Sequence, residues 1–141
     1  MNYIKIIIPG IPASKGSLFK GKYGQIYPAD KKLKSWVNAI SWQAREQAPG
    51  EPSQAAIDLT MTFNLPQASN NKKTYPTIKP DLDKLARAVL DALTGIIYYD
   101  DSQVIRLECN KAWAATDDTP GCEIEIREAT KWANILDVVS K

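Results

Sequence analysis

The sequence predicts a single α/β domain of the α+β type: a mixed sheet of about four strands with helices packed on it, in the order β-α-β-α-β-β-α over residues 1–141. Three observations carry this. Apolar and polar residues alternate strictly from Ile57 to Leu65, and a period of two gives a strand with one buried face. Leu82 to Thr94 repeats with a helical period and is apolar around most of its circumference, as in a helix buried on most sides. Two further alternating stretches, Ile105 to Cys109 and Cys122 to Ile126, follow the helices, and a mixed order of this kind calls for a layered fold with some antiparallel pairing.

Taken in order, Tyr3 to Ile8 is rich in isoleucine and closed by Pro9 and Gly10, which predicts a short central strand. From Ile11 to Ala29 the chain turns to Gly, Ser, Pro and Lys with Phe19, Tyr23 and Tyr27 interspersed, a loop or ragged hairpin. Asp30 caps a helix from Lys31 to Gln47, whose Leu33, Trp36, Val37, Ile40 and Ala44 share one face, and Pro49, Gly50 and Pro52 end it. Pro66 to Lys79 has no acidic residue but carries Lys72, Lys73, Lys79 and Tyr75, and reads as a mobile basic loop. Ile105, Leu107 and Cys109 alternate with Arg106, Glu108 and Asn110; Cys122, Ile124 and Ile126 alternate with Glu123, Glu125 and Arg127. These two strands are expected to form an antiparallel hairpin. Trp132, Ile135, Leu136 and Val139 predict a C-terminal amphipathic helix.

Composition narrows the function. With 44% hydrophobic and 24% charged residues and a net charge of +2, the chain is ordinary for a soluble domain. The apolar run Ile6 to Ile8 is too short to span a bilayer, so the expectation is a cytoplasmic protein without a membrane partner. There is no histidine, which excludes His-based triads and HExxH zinc sites. Cys109 and Cys122 fall at inward strand positions and read as buried free thiols.

The stretch from Lys79 to Asp101, KPDLDKLARAVLDALTGIIYYDD, holds the chemistry. Asp83, Lys84, Arg87, Asp91 and Thr94 fall within an arc of roughly 100° on a helical wheel, one narrow polar seam. Asp81 suits the N-cap, accepting a free amide with its carboxylate, and Asp83 then lies in the first turn. Asp100 and Asp101 follow the helix. Singly, each acid is a capping or turn residue. Together, Asp81, Asp83 and Asp101, supported by Asp100, have the makings of a divalent-cation site, provided the apolar segment Ile96 to Tyr99 runs back along the helix. Clustered carboxylates repel unless a cation neutralises them, and such a cation activates water and polarises phosphate. Arg87 is placed to orient an acid or meet charge developing on phosphate. Lys15, Lys20 and Lys22 in one loop and Lys72, Lys73 and Lys79 in another would track a nucleic-acid backbone. Lys111 points inward by alternation and needs a partner, which the carboxylate site would supply.

Over Lys79 to Trp113 these residues resemble the RusA-type Holliday junction resolvases, small dimeric endonucleases of bacteria and their phages. The resemblance rests on the DLD pair, the DAL segment and DDSQV after an aromatic run; PGIPASKG and GQIYPA extend it over most of the chain, in the manner of phage-borne members. It implies Asp81, Asp83 and Asp101 as metal ligands and Arg87 as the essential basic residue, where some members carry lysine. Asp91 also matches, in a supporting role that pairs it with Arg87. The resemblance further implies Mg²⁺, with Mn²⁺ as the alternative ion, a homodimer, and a branched four-way DNA junction cut by paired nicks. Two other readings stand beside it. A branched-DNA binder that does not cut gains nothing from three acids near its groove, and a metal-dependent nucleotide hydrolase would be expected to carry a phosphate cradle such as GxxxxGK[ST], which is absent.

Overall fold

The computed structural model describes residues 3–14, 18–20, 26–28 and 30–129. In chain order they form β1 (Tyr3–Pro9), β2 (Leu18–Lys20), β3 (Ile26–Pro28), α1 (Asp30–Gln47), β4 (Ala56–Leu65), α2 (Leu82–Leu93), a 3-10 turn (Asp101–Gln103), β5 (Val104–Trp113) and β6 (Gly121–Ala129). The expected helix around Trp132 to Val139 lies outside the described residues. β2 and β3 pair antiparallel as a small separate hairpin, which is the ragged hairpin the composition suggested.

The main sheet has four strands in the order β1-β6-β4-β5. β6 runs antiparallel to both β1 and β4, while β4 and β5 are parallel. Two expectations are corrected here. β5 and β6 are not a hairpin, because β6 inserts between β1 and β4 and leaves β5 on the far side of β4. Alternation fixes the face that a strand buries, not the neighbour it pairs with. Parallel strands need a crossover connection, and α2 supplies it between β4 and β5. The isoleucine-rich β1 is an outer strand rather than a central one. Gln47, the last residue of α1, satisfies its free edge: its Oε1 accepts from the Ile7 amide at 3.0 Å and its Nε2 donates to the Ile7 carbonyl at 2.8 Å. A side-chain amide thus stands where a further strand could otherwise add.

Both helices lie on one face of this sheet, α1 against β1 and α2, α2 also against β5. Ile6, Ile8, Ile57, Leu59, Met61, Phe63, Ile124 and Ile126 from the strands meet Trp36, Ile40 and Ala44 of α1 and Leu85, Val89 and Leu93 of α2. Leu33 and Val37 on the same stripe of α1 are half-buried. Cys122 is buried, but Cys109 is only half-buried, since β5 is an outer strand that the helices cover incompletely. The same incomplete cover leaves Ile105 and Leu107 at 41% and 42% exposure. On the other face, Asp58 is 3% exposed and accepts from Arg106 Nη1 at 2.9 Å, a pairing that meets the cost of burying its charge.

Candidate active site

The start of α2 is fixed from β5. By the parallel register, Lys111 sits opposite Phe63 on the helix-covered face, as its alternation implied. Its partner is not a carboxylate. The ammonium donates to the carbonyl oxygens of Ile78 at 2.9 Å and Pro80 at 3.1 Å, the last turnings of the chain before Asp81. Two residues on, the Trp113 indole N–H donates to the Lys73 carbonyl at 2.9 Å. Gln67 Nε2 donates to the carbonyls of Asn71 and Lys73, and Asn71 Oδ1 accepts from the Lys73 amide at 3.0 Å. The basic loop is therefore held by hydrogen bonds from both sides. Lys72, Lys73, Tyr75 and Lys79 are exposed on it, and Pro76 is buried.

Asp81 is the N-cap of α2, with extended backbone at φ −69° and ψ 142°, but its side chain makes no capping hydrogen bond. It pairs instead with Lys84 at 3.4 Å, an exposed i, i+3 contact that contributes little to stability and leaves the carboxylate available. Asp83 is exposed in the first turn, where the helix dipole favours an anion. Arg87 and Asp91 follow on the same exposed seam, while Leu85, Ala86, Ala88, Val89, Ala92 and Leu93 are buried, the division the helical wheel predicts.

At the other end of α2 the chain turns at once. The Thr94 amide donates to the Asp91 carbonyl, Gly95 takes a left-handed φ of +84° that suits glycine, and its amide donates to the Tyr98 carbonyl at 2.7 Å. The Ile97 amide returns to the Leu93 carbonyl at 2.9 Å. The segment from Ile96 to Tyr99 thus stays at the end of the helix and does not run back along it, which corrects the expected path. Tyr98 is buried with its hydroxyl donating to the Leu90 carbonyl at 2.7 Å. Burial pushes its phenol well up, and the negative charges of Asp101 and Asp91 add to this, so those two acids share this end.

Asp100 has a structural task. Its Oδ1 accepts from the Ser102 amide at 2.9 Å, Gln103 Oε1 accepts from the Asp100 amide at 2.9 Å, and the two form a capping box around the 3-10 turn. The Ser102 amide holds the Asp100 carboxyl below its ordinary range. Gln103 also donates through Nε2 to the carbonyls of Ser53 and Ala55, at 2.8 and 2.9 Å, fastening the turn to the start of β4. The spacing D-x-x-Q from Asp100 to Gln103 is the readable signal for this box.

The twelve residues of α2 span about 18 Å, with Asp81 and Asp83 at its start and Asp101 beyond its end. Among the described residues, no three His, Cys, Asp or Glu side chains gather round a point that would hold an ion. Lys15 and Lys22 lie outside the described residues, and of Lys20 only its place in β2 is described.

The profile of the family Endodeoxyribonuclease RusA matches residues 9–127. The chain belongs to the RusA endodeoxyribonuclease family. Its match spans the basic loop, α2 and the Asp100–Asp101 turn, so every acid singled out in the sequence falls within it. "Uncharacterized protein YqaN" of Bacillus subtilis (strain 168) is 32% identical over 145 residues, covering 92% of this chain and 99% of the relative. "Crossover junction endodeoxyribonuclease rusA" of Lactococcus phage r1t is 33% identical over 94 residues, 64% of this chain and 70% of the relative. For a RusA-type enzyme the donor chemistry is informative. The candidate donors at both ends of α2 are carboxylates, a set suited to a hard divalent ion rather than to zinc. Mg²⁺ is commonly held by one or two carboxylates with waters and substrate phosphates, and Asp81 and Asp83 present two from one helix start.

Proposed function

We propose that this protein is a Mg²⁺-dependent endonuclease that resolves four-way DNA junctions by paired nicks during recombination and repair, acting in the cytoplasm as a homodimer. The observation that carries the reading is the family match over residues 9–127, which contains the whole acidic set. Asp81, Asp83 and Asp101 are the proposed metal ligands, and a bound Mg²⁺ would supply an activated water and polarise the phosphate. Arg87, exposed one turn from Asp83, meets charge developing on the phosphate. Asp91 orients Arg87 from the next turn. Lys72, Lys73 and Lys79 bind the backbone electrostatically, with Lys15, Lys20 and Lys22 in the same role.

The placing of Asp83 at the start of α2 and of Asp101 beyond its end supports two copies per site. β5 is an outer strand of the sheet, with exposed Ile105 and Leu107. Two copies meeting there about a dyad run their β5 strands antiparallel. The start of one β5, after Asp101, then lies beside the end of the other, where Lys111 holds Pro80 ahead of Asp81. Each of the two sites is completed by the other copy, which suits a substrate with two-fold symmetry.

The test is a synthetic four-way junction incubated with the protein and either Mg²⁺ or EDTA. The expected result is symmetric nicks in opposite strands with Mg²⁺ and binding without cleavage in EDTA. Binding without cleavage under both conditions would leave a branched-DNA binder, and hydrolysis of free nucleotides alone would leave a nucleotide hydrolase.

A further inference from the structure

The basic loop carries an aromatic side chain in an unusual position. Tyr75 is 69% exposed and Ile78 is 43% exposed, on a loop whose backbone is otherwise well secured. Trp113 holds the Lys73 carbonyl, Lys111 holds those of Ile78 and Pro80, and the Thr77 amide closes a tight turn onto the Tyr75 carbonyl at 2.8 Å around the buried Pro76. The exposure of Tyr75 is thus a property of a pre-formed loop, and a side chain with two rotatable bonds on such a loop loses little entropy on contact.

Its surroundings specify the partner. Residues 66–80 contain Lys72, Lys73 and Lys79 and no acid, so the aromatic ring stands on a loop whose charged side chains are all positive. A flat apolar face on a lysine-bearing loop matches one ligand chemistry, an unstacked nucleobase between its flanking phosphates. In continuous duplex every base face is already stacked, and a wedge must first break that stacking. At a branch point the stacking is already interrupted. We infer that Tyr75 is a wedge that stacks on an unstacked base at the junction branch point and so gives the enzyme its preference for branched over continuous DNA. The inference rests on the junction-resolving reading above and adds a residue to it. The same loop leads through Lys111-bound Pro80 into Asp81, so a base held on Tyr75 also sets which phosphate reaches the acids.

The test uses the full chain in EDTA and a four-way junction with 2-aminopurine at the branch point, against a linear duplex carrying the same label. Wild-type protein should change the junction fluorescence and bind junction over duplex. Tyr75→Ala should abolish the fluorescence change and lower that preference by about tenfold or more, the scale of removing one base stack, whereas Tyr75→Trp should keep both. An exposed side chain makes few packing contacts, and an unchanged melting temperature confirms that the variant is folded. Unaltered fluorescence and preference in Tyr75→Ala overturn the inference, as does a change in its oligomeric state, which would assign Tyr75 to contacts between copies. If wild-type protein cuts junctions with Mg²⁺ while Tyr75→Ala still discriminates, the wedge alone falls; if wild-type protein cuts no junction, the functional reading falls with it.

Discussion

Lys111 holds the carbonyl oxygen of Pro80 3.1 Å from its ammonium, and through it an outer strand of the sheet fixes the entry to the helix that carries Asp81 and Asp83. Lys111→Met keeps the aliphatic stem and removes the donors. Two carbonyls lose a charged partner, so a loss of about 1.5–3 kcal/mol in stability is expected. The concentration of Mg²⁺ needed for half-maximal cleavage should also rise, because Asp81 is no longer held in place. Thermal unfolding beside a Mg²⁺ titration separates the two effects, and an unmoved titration would reduce the contact to a structural one.

Asp83→Asn removes a charge and keeps the shape at an exposed position, so it should abolish cleavage while leaving junction binding intact or tighter. Binding tightens because a neutral amide repels phosphate less when no metal is present. Gel shift and cleavage measured on the same preparation check this; cutting at the wild-type rate would remove Asp83 from the ligand set.

Arg87→Ala should slow cleavage by about tenfold to a thousandfold with little change in affinity, the usual effect of losing one electrostatic stabiliser. Arg87→Lys distinguishes point charge from the planar fork: retained activity shows that charge suffices, and failure shows that the guanidinium geometry matters. A variant that melts early yet cuts normally at low temperature would make Arg87 a structural residue.

Replacing Lys72, Lys73 and Lys79 together by glutamine should weaken junction binding and flatten its salt dependence by about 0.9 logarithmic units of slope for each phosphate that is no longer neutralised. Binding measured across a salt series reads this directly. An unchanged slope returns these exposed lysines to the solvated surface.

Mixing Asp83→Asn with Asp101→Asn chains tests where the third acid comes from. If each site draws on both copies, mixed dimers contain one intact site, and about a quarter of the wild-type sites return from two inactive parents, as single nicks. If all ligands come from one chain, the mixture stays dead.

The helix at the centre of the chain was legible to the residue: Leu85, Val89 and Leu93 are buried and the Asp83, Arg87, Asp91 seam is exposed, because a 3.6-residue period is a local property. So was the helix-covered face of β4, β5 and β6, Lys111 included. Pairing was not. β5 and β6 follow one another across a short loop, yet β6 takes the place beside β4 and β1, and nothing in an alternating pattern names the neighbour. Ile7 shows the same limit: an isoleucine run reads as central, but whether its edge meets a strand or the amide of Gln47 depends on a residue forty positions away. The acids divide in the same way. The places of Asp81 and Asp83 at the start of α2 were readable, and the path from its end to Asp101 was not, since it turned on the backbone from Thr94 to Tyr99, whose hydrogen bonds keep it at the foot of the helix.

The span of α2 also bears on how much of this enzyme a cell can tolerate. On the two-copy reading, a chain whose third acid lies past the far end of the helix that carries the first two is inert by itself. Upon dilution, activity then falls with the square of protein concentration and not in proportion to it. Solitary chains sliding along chromosomal duplex would leave no stray breaks, and cutting would begin only where enough protein has collected for subunits to meet.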